Sequence, residues 1–395
     1  MDTRRLFFQH IAQTSGAPLA IEVDYAKGSI IRDKEGKKYI DLIAGISVCN
    51  IGHRHPAVLK AIKKQLDRYL HVLVYGEMIE SPQVQYAAML SEKLPANLNS
   101  VYFTNSGAEA VEGAMKLAKR YTGKTKIIAF NKSYHGSTQG ALSIIGDEYW
   151  RNAYRPLLPG IEHYNYNESG AISAIDSNTA CVIIETVQAE RGVYKPRREW
   201  ITELRNKCSE QNVLFIMDEI QTGFGRCGTL WGFEQYGIIP DVILLGKALG
   251  GGMPLGAFIS DKKIMNVLSE NPVLGHITTF GGHPVSCAAG IAAFRELLKG
   301  NLVKNVAKRE KQFKKMLNVP GVENIRSSGL LIAIEFSSET VTKKIVDHCI
   351  LNGVLTDWFL FAPECLRIAP PLNISRKEIH EACVIIREAI ALYTQ

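Results

Sequence analysis

Between residues 101 and 260 the chain alternates short apolar runs with helix-length amphipathic stretches, and no other feature limits its possible folds as much. The runs are VYFT (101–104), KIIAF (126–130), CVIIET (181–186), VLFIMD (213–218), DVILLG (241–246) and LGAFIS (255–260). Several are apolar at successive positions, so both faces must be buried, as in a parallel sheet with helices on each side. Segments such as AEAVEGAMKLAKRYTG and REWITELRNKCSEQN supply those helices. The expectation is an open α/β domain with a mostly parallel central sheet, covering residues 51–290.

The remainder reads differently. Long helical stretches (AAGIAAFRELL, NLVKNVAKREKQFKKMLN and RKEIHEACVIIREAIALY) flank the short strands LLIAIEF and LRIAP. This predicts a smaller α+β domain from residues 1–50 and 291–395, with turns at KGS and DKEGKK. A length of 395 residues accommodates two such units. At 46% apolar and 22% charged, the chain is not globally disordered.

The charge balance excludes a nucleic-acid binder. The +7 surplus is small, and Lys304, Lys308, Arg309, Lys311, Lys314 and Lys315 lie together on what reads as one solvated helix face. The eight cysteines are widely spaced with no C-x-x-C pair, so reduced thiols are expected. No apolar run approaches the roughly 20 residues that span a bilayer, and MDTRRLFFQHIAQTSG lacks the apolar core of a secretory signal. A soluble cytoplasmic protein is expected.

Ligands of open α/β sheets sit at the carboxyl ends of the strands. After VYFT comes Asn105-Ser106-Gly107-Ala108-Glu109, where Ser106 and Glu109 fit a capping box and Gly107 opens a helix N-terminus suited to a phosphate. An ordinary cap would look the same. After KIIAF come Tyr134, His135 and Gly136, where the tyrosine offers a face for stacking or simply packs in a turn. Asp218 ends an apolar strand, a position that demands a cation or several hydrogen bonds. Lys247 follows DVILLG and precedes three glycines; among such neighbours a lysine loses its proton readily and becomes a nucleophile able to form a Schiff base. The 29 residues from Asp218 to Lys247 make about one β–crossover–β unit, so both side chains can reach one crevice.

Two other patterns are set aside. Gly223-Phe224-Gly225-Arg226-Cys227-Gly228 matches G-x-G-x-x-G, but no helix opens at its glycines and Asp241 begins the next strand rather than ending it. The histidines form no metal-ligand spacing, and no metal is expected.

Taken together, these segments resemble the class III pyridoxal-phosphate aminotransferases, the group that includes the ornithine and acetylornithine enzymes. The motifs FTNSGAEA, YHG, ETVQAERG, MDEIQTGFGR, LLGKALGGGMPLGA and TTFGGHP occur in the family's order. The resemblance implies fold type I, pyridoxal 5'-phosphate as cofactor, and a homodimer with shared active sites. It implies that Lys247 forms the Schiff base and shuttles the proton, and that Asp218 keeps the pyridine nitrogen protonated. Ser106, Gly107, Ala108, Tyr134, His135, Glu185 and Gln221 would surround the cofactor, and Thr279 would reach the phosphate in the neighbouring subunit. Arg367 would bind an α-carboxylate and Glu190 would pair with it, opening for one substrate and closing for another; Thr278 would also face substrate. A structural salt bridge would look the same. The implied reaction moves an amino group from an amino acid or terminal amine to a 2-oxo acid.

The chain departs from the family at Ser137, where the ornithine and acetylornithine enzymes carry an arginine for a distal carboxylate. Serine cannot make a bidentate charged contact, which counts against acetylornithine and 2-oxoglutarate; Arg151, Arg155 and Arg191 are the residues able to compensate. His283 stands where the family has asparagine. The alternatives are a racemase, decarboxylase or aminomutase using the same cofactor, and, more remotely, a nicotinamide-dependent oxidoreductase.

Overall fold

The computed structural model describes residues 2–394. Its strands are, in chain order, β1 (Val23–Lys27), β2 (Ile30–Asp33), β3 (Lys38–Asp41), β4 (Ser100–Thr104), β5 (Lys126–Phe130), β6 (Ile161–Tyr164), β7 (Thr179–Glu185), β8 (Leu214–Asp218), β9 (Val242–Leu245), β10 (Gly256–Ser260), β11 (Asn324–Ser327), β12 (Ile332–Glu335), β13 (Val354–Leu355), β14 (Asp357–Phe359) and β15 (Ala362–Ile368). The central sheet has the order β4-β10-β9-β8-β7-β5-β6. Strand β10 runs antiparallel to β4 and β9, while the pairs from β9 to β6 are parallel.

The unbroken apolar runs have the expected cause. Every residue of β5, β7, β8, β9 and β10 is buried. Alternate residues feed two cores: Ile127, Ile183, Ile216 and Leu244 pack with Val111 and Met115 of the 107–122 helix. Their neighbours Ile128, Ile184, Met217 and Ile243 pack with Ile201 and Leu204 of the 198–210 helix. Strand β6 is absent from the expected set because it is the sheet edge; Glu162 on it is exposed.

The outer parts carry two smaller sheets, β1-β2-β3-β13 and β11-β12-β15-β14. The KGS and DKEGKK turns join β1, β2 and β3, and β3 then pairs in parallel with β13 from the far end of the chain. The G-x-G-x-x-G segment belongs to this assembly. Gly225 (φ +84°) and Gly228 (φ +93°) turn the backbone in the left-handed region. Buried Arg226 donates to the carbonyls of Leu330 and Pro370 (2.8 and 2.6 Å) and to Asn50 Oδ1 (2.5 Å). The backbone then enters a 3₁₀ turn at Gly232–Tyr236, not a phosphate-binding helix.

The 302–317 helix keeps its lysines in solvent, with one correction to the expected face. Arg309 is half-buried and donates to Ile374 O at 2.8 Å. His283 caps the 284–299 helix, its Nδ1 accepting from Val285 N at 3.3 Å, so it retains an acceptor where the family's asparagine would stand.

Candidate active site

Strands β4, β5, β7, β8 and β9 all end on one side of the sheet, around a cavity of about 250 Å³. It is lined by Gly107, Ala108, Tyr134, His135, Gly136, Ser137, Glu185, Glu190, Asp218, Ile220, Gln221, Thr222 and Lys247.

The 107–122 helix opens on this cavity. Ser106 is its N-cap, with Oγ accepting from Glu109 N at 3.2 Å. The reciprocal half of the expected capping box is shifted by one residue: the Glu109 carboxylate accepts from Asn105 N at 2.9 Å, not from Ser106 N. The Ser106 hydroxyl is thereby committed to the helix. Among the described residues, no acceptor within the chain reaches the N–H groups of Gly107 and Ala108. Space there is tight. A Cβ on Gly107 would lie 2.8 Å from Ile220, and one on Gly136 (φ +133°) would lie 2.6 Å from the Ala108 side chain. These glycines hold the backbone close around a pocket whose free N–H groups and helix dipole favour an anion.

Lys247 stands across the cavity at the end of β9. Its backbone sits in the left-handed region (φ +48°), a conformation that non-glycine residues seldom adopt and that collects at functional sites. Nζ donates to Gln221 Oε1 at 2.8 Å. Burial lowers the ammonium pKa below the ordinary lysine range, against the upward pull of Glu190 and Asp218. The lysine is thereby biased toward the free amine a nucleophile requires.

Asp218, on the neighbouring strand, is fixed by two donors: Ile220 N at 2.9 Å and the His135 ring at 2.7 Å. Burial opposes charge on His135, but Asp218 outweighs it and the imidazole pKa is raised. His135 thus braces the aspartate. Glu185 accepts from the backbone N–H groups of Tyr134 (3.0 Å) and Ala189 (3.2 Å), shaping the loop that carries the tyrosine, and burial pushes its carboxyl up to about 7. Two buried polar atoms at the cavity, His135 Nε2 and Gln221 Nε2, have no protein partner. Orphaned donors or acceptors of this kind are costly unless a ligand satisfies them.

Glu190 and Arg367 are paired. The guanidinium meets the carboxylate through two bonds of 2.9 Å and also donates to Trp358 O at 2.9 Å. Glu190 lines the cavity, whereas Arg367 is 3% exposed and lies behind it. Their attraction raises the Arg367 pKa and lowers that of Glu190, in each case against burial. A third charge, which the sequence does not reveal, completes the group: Asp357 Oδ1 lies 2.9 Å from Arg367 Nε. The N–H does not point along this contact, so it is an ion pair rather than a hydrogen bond. Ile220 and Thr222 were also missed from sequence, although both lie in the MDEIQTGFGR motif beside Asp218.

Other expected residues lie elsewhere. Thr278 accepts from Asn105 Nδ2 at 2.9 Å and faces a separate hollow beside Val74 and Gln83, so within one chain it does not meet the Lys247 cavity. Thr279 is exposed outside that cavity. The three arginines able to replace the missing one are occupied: Arg151 and Arg155 pair with Glu148, and Arg191 bonds Gln188 and covers the Tyr194 ring. Ser137 shares a hydrogen bond of 3.0 Å with the Tyr134 hydroxyl.

A deprotonatable lysine facing an anion cradle, with a braced carboxylate one strand away, is the equipment of a fold-type-I pyridoxal-phosphate enzyme, and the orphaned polar atoms fit such a cofactor. Comparison with known proteins narrows this further. Residues 11–390 match the family described as aminotransferase class-III, and the chain belongs to that family. It is 38% identical over 396 residues to acetylornithine aminotransferase of Methanopyrus kandleri, with 99% of each chain covered. It is 37% identical to the acetylornithine aminotransferase of Bacillus subtilis, covering 94% of this chain and 95% of that one. The structure of ornithine aminotransferase from Toxoplasma gondii aligns with a TM-score of 0.91 at 30% identity, covering 98% of this chain and 93% of that one. The protein is a pyridoxal-phosphate-dependent aminotransferase. A nicotinamide oxidoreductase is thereby excluded.

Proposed function

We propose that the cavity accepts an amino donor and then a 2-oxo acid in turn, with Lys247 Nζ as the group that moves the proton. The observation that carries this reading is the meeting of Lys247, Asp218 and the 107–122 helix N-terminus around one cavity. Pyridoxal phosphate, when bound, supplies the electron sink that makes the substrate C–H bond acidic. The chain's own residues do the rest. The N–H groups of Gly107 and Ala108 would hold the phosphate, Tyr134 would offer its ring face, and Gln221 would offer its unpartnered amide to the cofactor. Asp218, steadied by His135, would keep the ring nitrogen protonated. Lys247, whose amine faces the cavity, would be the residue to hold the cofactor and, as a free amine, to take up and return the substrate proton.

Glu190 over Arg367 gives the cavity a carboxylate wall at rest, which suits a donor bearing an amine at that end. When Glu190 swings away, Arg367 can grip a carboxylate bidentately. With Ser137 in place of arginine and Arg151, Arg155 and Arg191 occupied, we read the donor as one without a distal carboxylate that needs a charged clamp. That separates this chain from what the names of its acetylornithine relatives indicate for those proteins.

We also propose a homodimer. Leu70, Met78, Ile79 (94% exposed), Val273 and Phe280 are large apolar side chains left exposed, and the Phe280 ring packs on His71; such exposure favours a partner surface. Thr279, exposed beside Phe280 in sequence, would be free to reach a neighbour's phosphate. The division into 51–290, holding the cofactor, and 1–50 with 291–395 is supported by the β3–β13 pairing. No helix among the described residues is long and apolar enough to cross a membrane; a cytoplasmic location is proposed with the rest.

The test is the visible spectrum of the purified holoenzyme against a panel of amines and amino acids. A yellow band that one donor bleaches and one 2-oxo acid restores is expected. A band that no donor alters would overturn the substrate reading.

A further inference from the structure

The short helix Gln139–Ser143 starts without the cap its own sequence offers. Thr138 is the N-cap residue, yet its hydroxyl accepts nothing from the helix and instead donates to Glu112 Oε1 at 2.6 Å. The same Oε1 accepts from Gly140 N at 2.8 Å and from Ala141 N at 3.1 Å. These are two of the N–H groups that a helix start leaves without an internal partner. Glu112 satisfies them from another element: it is half-buried on the 107–122 helix, whose N-terminus opens on the cavity. It stands four residues beyond Ala108, on the same helix face. At Ala108 the helix meets Gly136, where a Cβ would lie 2.6 Å from the Ala108 side chain, and a Cβ on Gly140 would fall on the Glu112 carboxylate. Residues 136–141 are thus laid along the first turns of the helix, packed at Ala108 and bonded at Glu112.

The loop that begins at Tyr134 is gripped by a carboxylate at each end, Glu185 at Tyr134 N and Glu112 at Gly140 N and Ala141 N. Between these anchors it presents Tyr134, His135, Gly136 and Ser137 to the cavity, and His135 reaches Asp218. We propose that Glu112 is a positioning residue of the cofactor pocket: its three bonds fix the Tyr134–Ser137 loop against the helix end presented by Gly107 and Ala108, so that stacking face and anion cradle form as one piece. The proposal rests on the reading of Gly107, Ala108 and Tyr134 as cofactor-facing residues. Glu112 is not among the residues lining the cavity, so it acts through the loop. Without this cap the loop holds its pocket-shaped arrangement for only a fraction of the time, and cofactor affinity falls by that fraction. All three bonds end on one oxygen, so the role calls for an acceptor at that point and not for a charge. A glutamine supplies one through its amide oxygen.

The test dialyses holoenzyme against cofactor-free buffer, then titrates pyridoxal 5'-phosphate back and follows the visible band, with the melting temperature of the dialysed protein read alongside. Glu112→Ala should raise the dissociation constant for the cofactor by about tenfold, the equivalent of one lost helix cap. Glu112→Gln should bind cofactor as the native chain does. Gly140→Ala, whose added carbon displaces the Glu112 carboxylate, should weaken binding in the same direction as Glu112→Ala. A Glu112→Ala protein that melts lower yet binds cofactor with native affinity would overturn the proposal, since it would reveal a structural cap and nothing more. A Glu112→Gln variant as weak as Glu112→Ala would also overturn it, by tracing the effect to charge. Should Glu112→Ala yield no folded protein, the Gly140→Ala titration decides, and native affinity there overturns the proposal. Tyr134→Ala separates this inference from the reading beneath it. If cofactor binding is unchanged in Tyr134→Ala, the loop does not face the cofactor and that reading fails. If Tyr134→Ala weakens binding while Glu112→Ala does not, the reading stands and the role of Glu112 falls.

Discussion

Lys247 combines three properties that are individually uncommon in a lysine: a left-handed backbone, burial among carboxylates and a single side-chain partner. Lys247→Ala should lower steady-state transamination by about a thousandfold or more, because no other group at the cavity can both bond the cofactor and carry the proton; full turnover in the variant would refute its role. Arg367→Ala should raise KM for a carboxylate-bearing substrate well beyond its effect on a simple amine, as initial-rate kinetics with both would reveal. Glu185 gives a pH signature. Its carboxyl is held at about 7 by burial, above the ordinary 4.5. Between those values the unfolded chain has released a proton that the folded chain keeps, so this group makes the fold less stable as pH rises through that window. Glu185→Gln should flatten the fall in Tm from pH 5 to pH 7, measured by scanning calorimetry on cofactor-free protein; an identical slope would place the effect elsewhere. Lys247 and Asp218 were legible in the sequence because a charge at the mouth of an apolar strand has few explanations. Asp357 was not. Its meaning depends on which residue faces it across a hairpin, and neither composition nor spacing reveals that register.

Secondary structure was most readable where burial was complete. Runs such as KIIAF announce strands because both faces are covered, whereas β6, with Glu162 exposed at the edge, carries no such signal. The G-x-G-x-x-G segment shows the converse failure of a pattern taken alone, since its glycines serve turns around buried Arg226. The 107–122 helix both opens on the cavity and packs on β10 through Gly113, where a Cβ would fall 2.3 Å from the Phe258 ring. Gly113→Ala should cost about 1–3 kcal/mol of stability by overpacking, read as a lower Tm. The half-reaction rate should stay near native if the helix shifts as a body; loss of the cofactor band would mean that the N-terminus moved as well.

Across the whole molecule, the proposed division into two units rests on the change of rhythm after residue 290, whereas the long-range contacts between distant parts of the chain carry no such signal. The relevant contacts join residues more than a hundred positions apart: Asn50 with Arg226, Arg226 with Pro370, and β3 with β13. The proposed dimer predicts a sedimenting species of twice the 43.8 kDa chain mass, and Thr279→Ala should release cofactor more readily on dialysis. A monomer that retains full activity would refute the shared site. The β3–β13 pairing also has a consequence during synthesis. Strand β3 leaves the ribosome with one edge unpaired, and its partner lies more than 300 residues downstream. At translation rates of 5–20 residues per second, that edge waits roughly 15–60 s. Through that interval the nascent chain exposes a β-edge open to misplaced pairing, so a slower ribosome or a pause after Asp41 should lower the yield of folded protein without altering any residue of the finished enzyme.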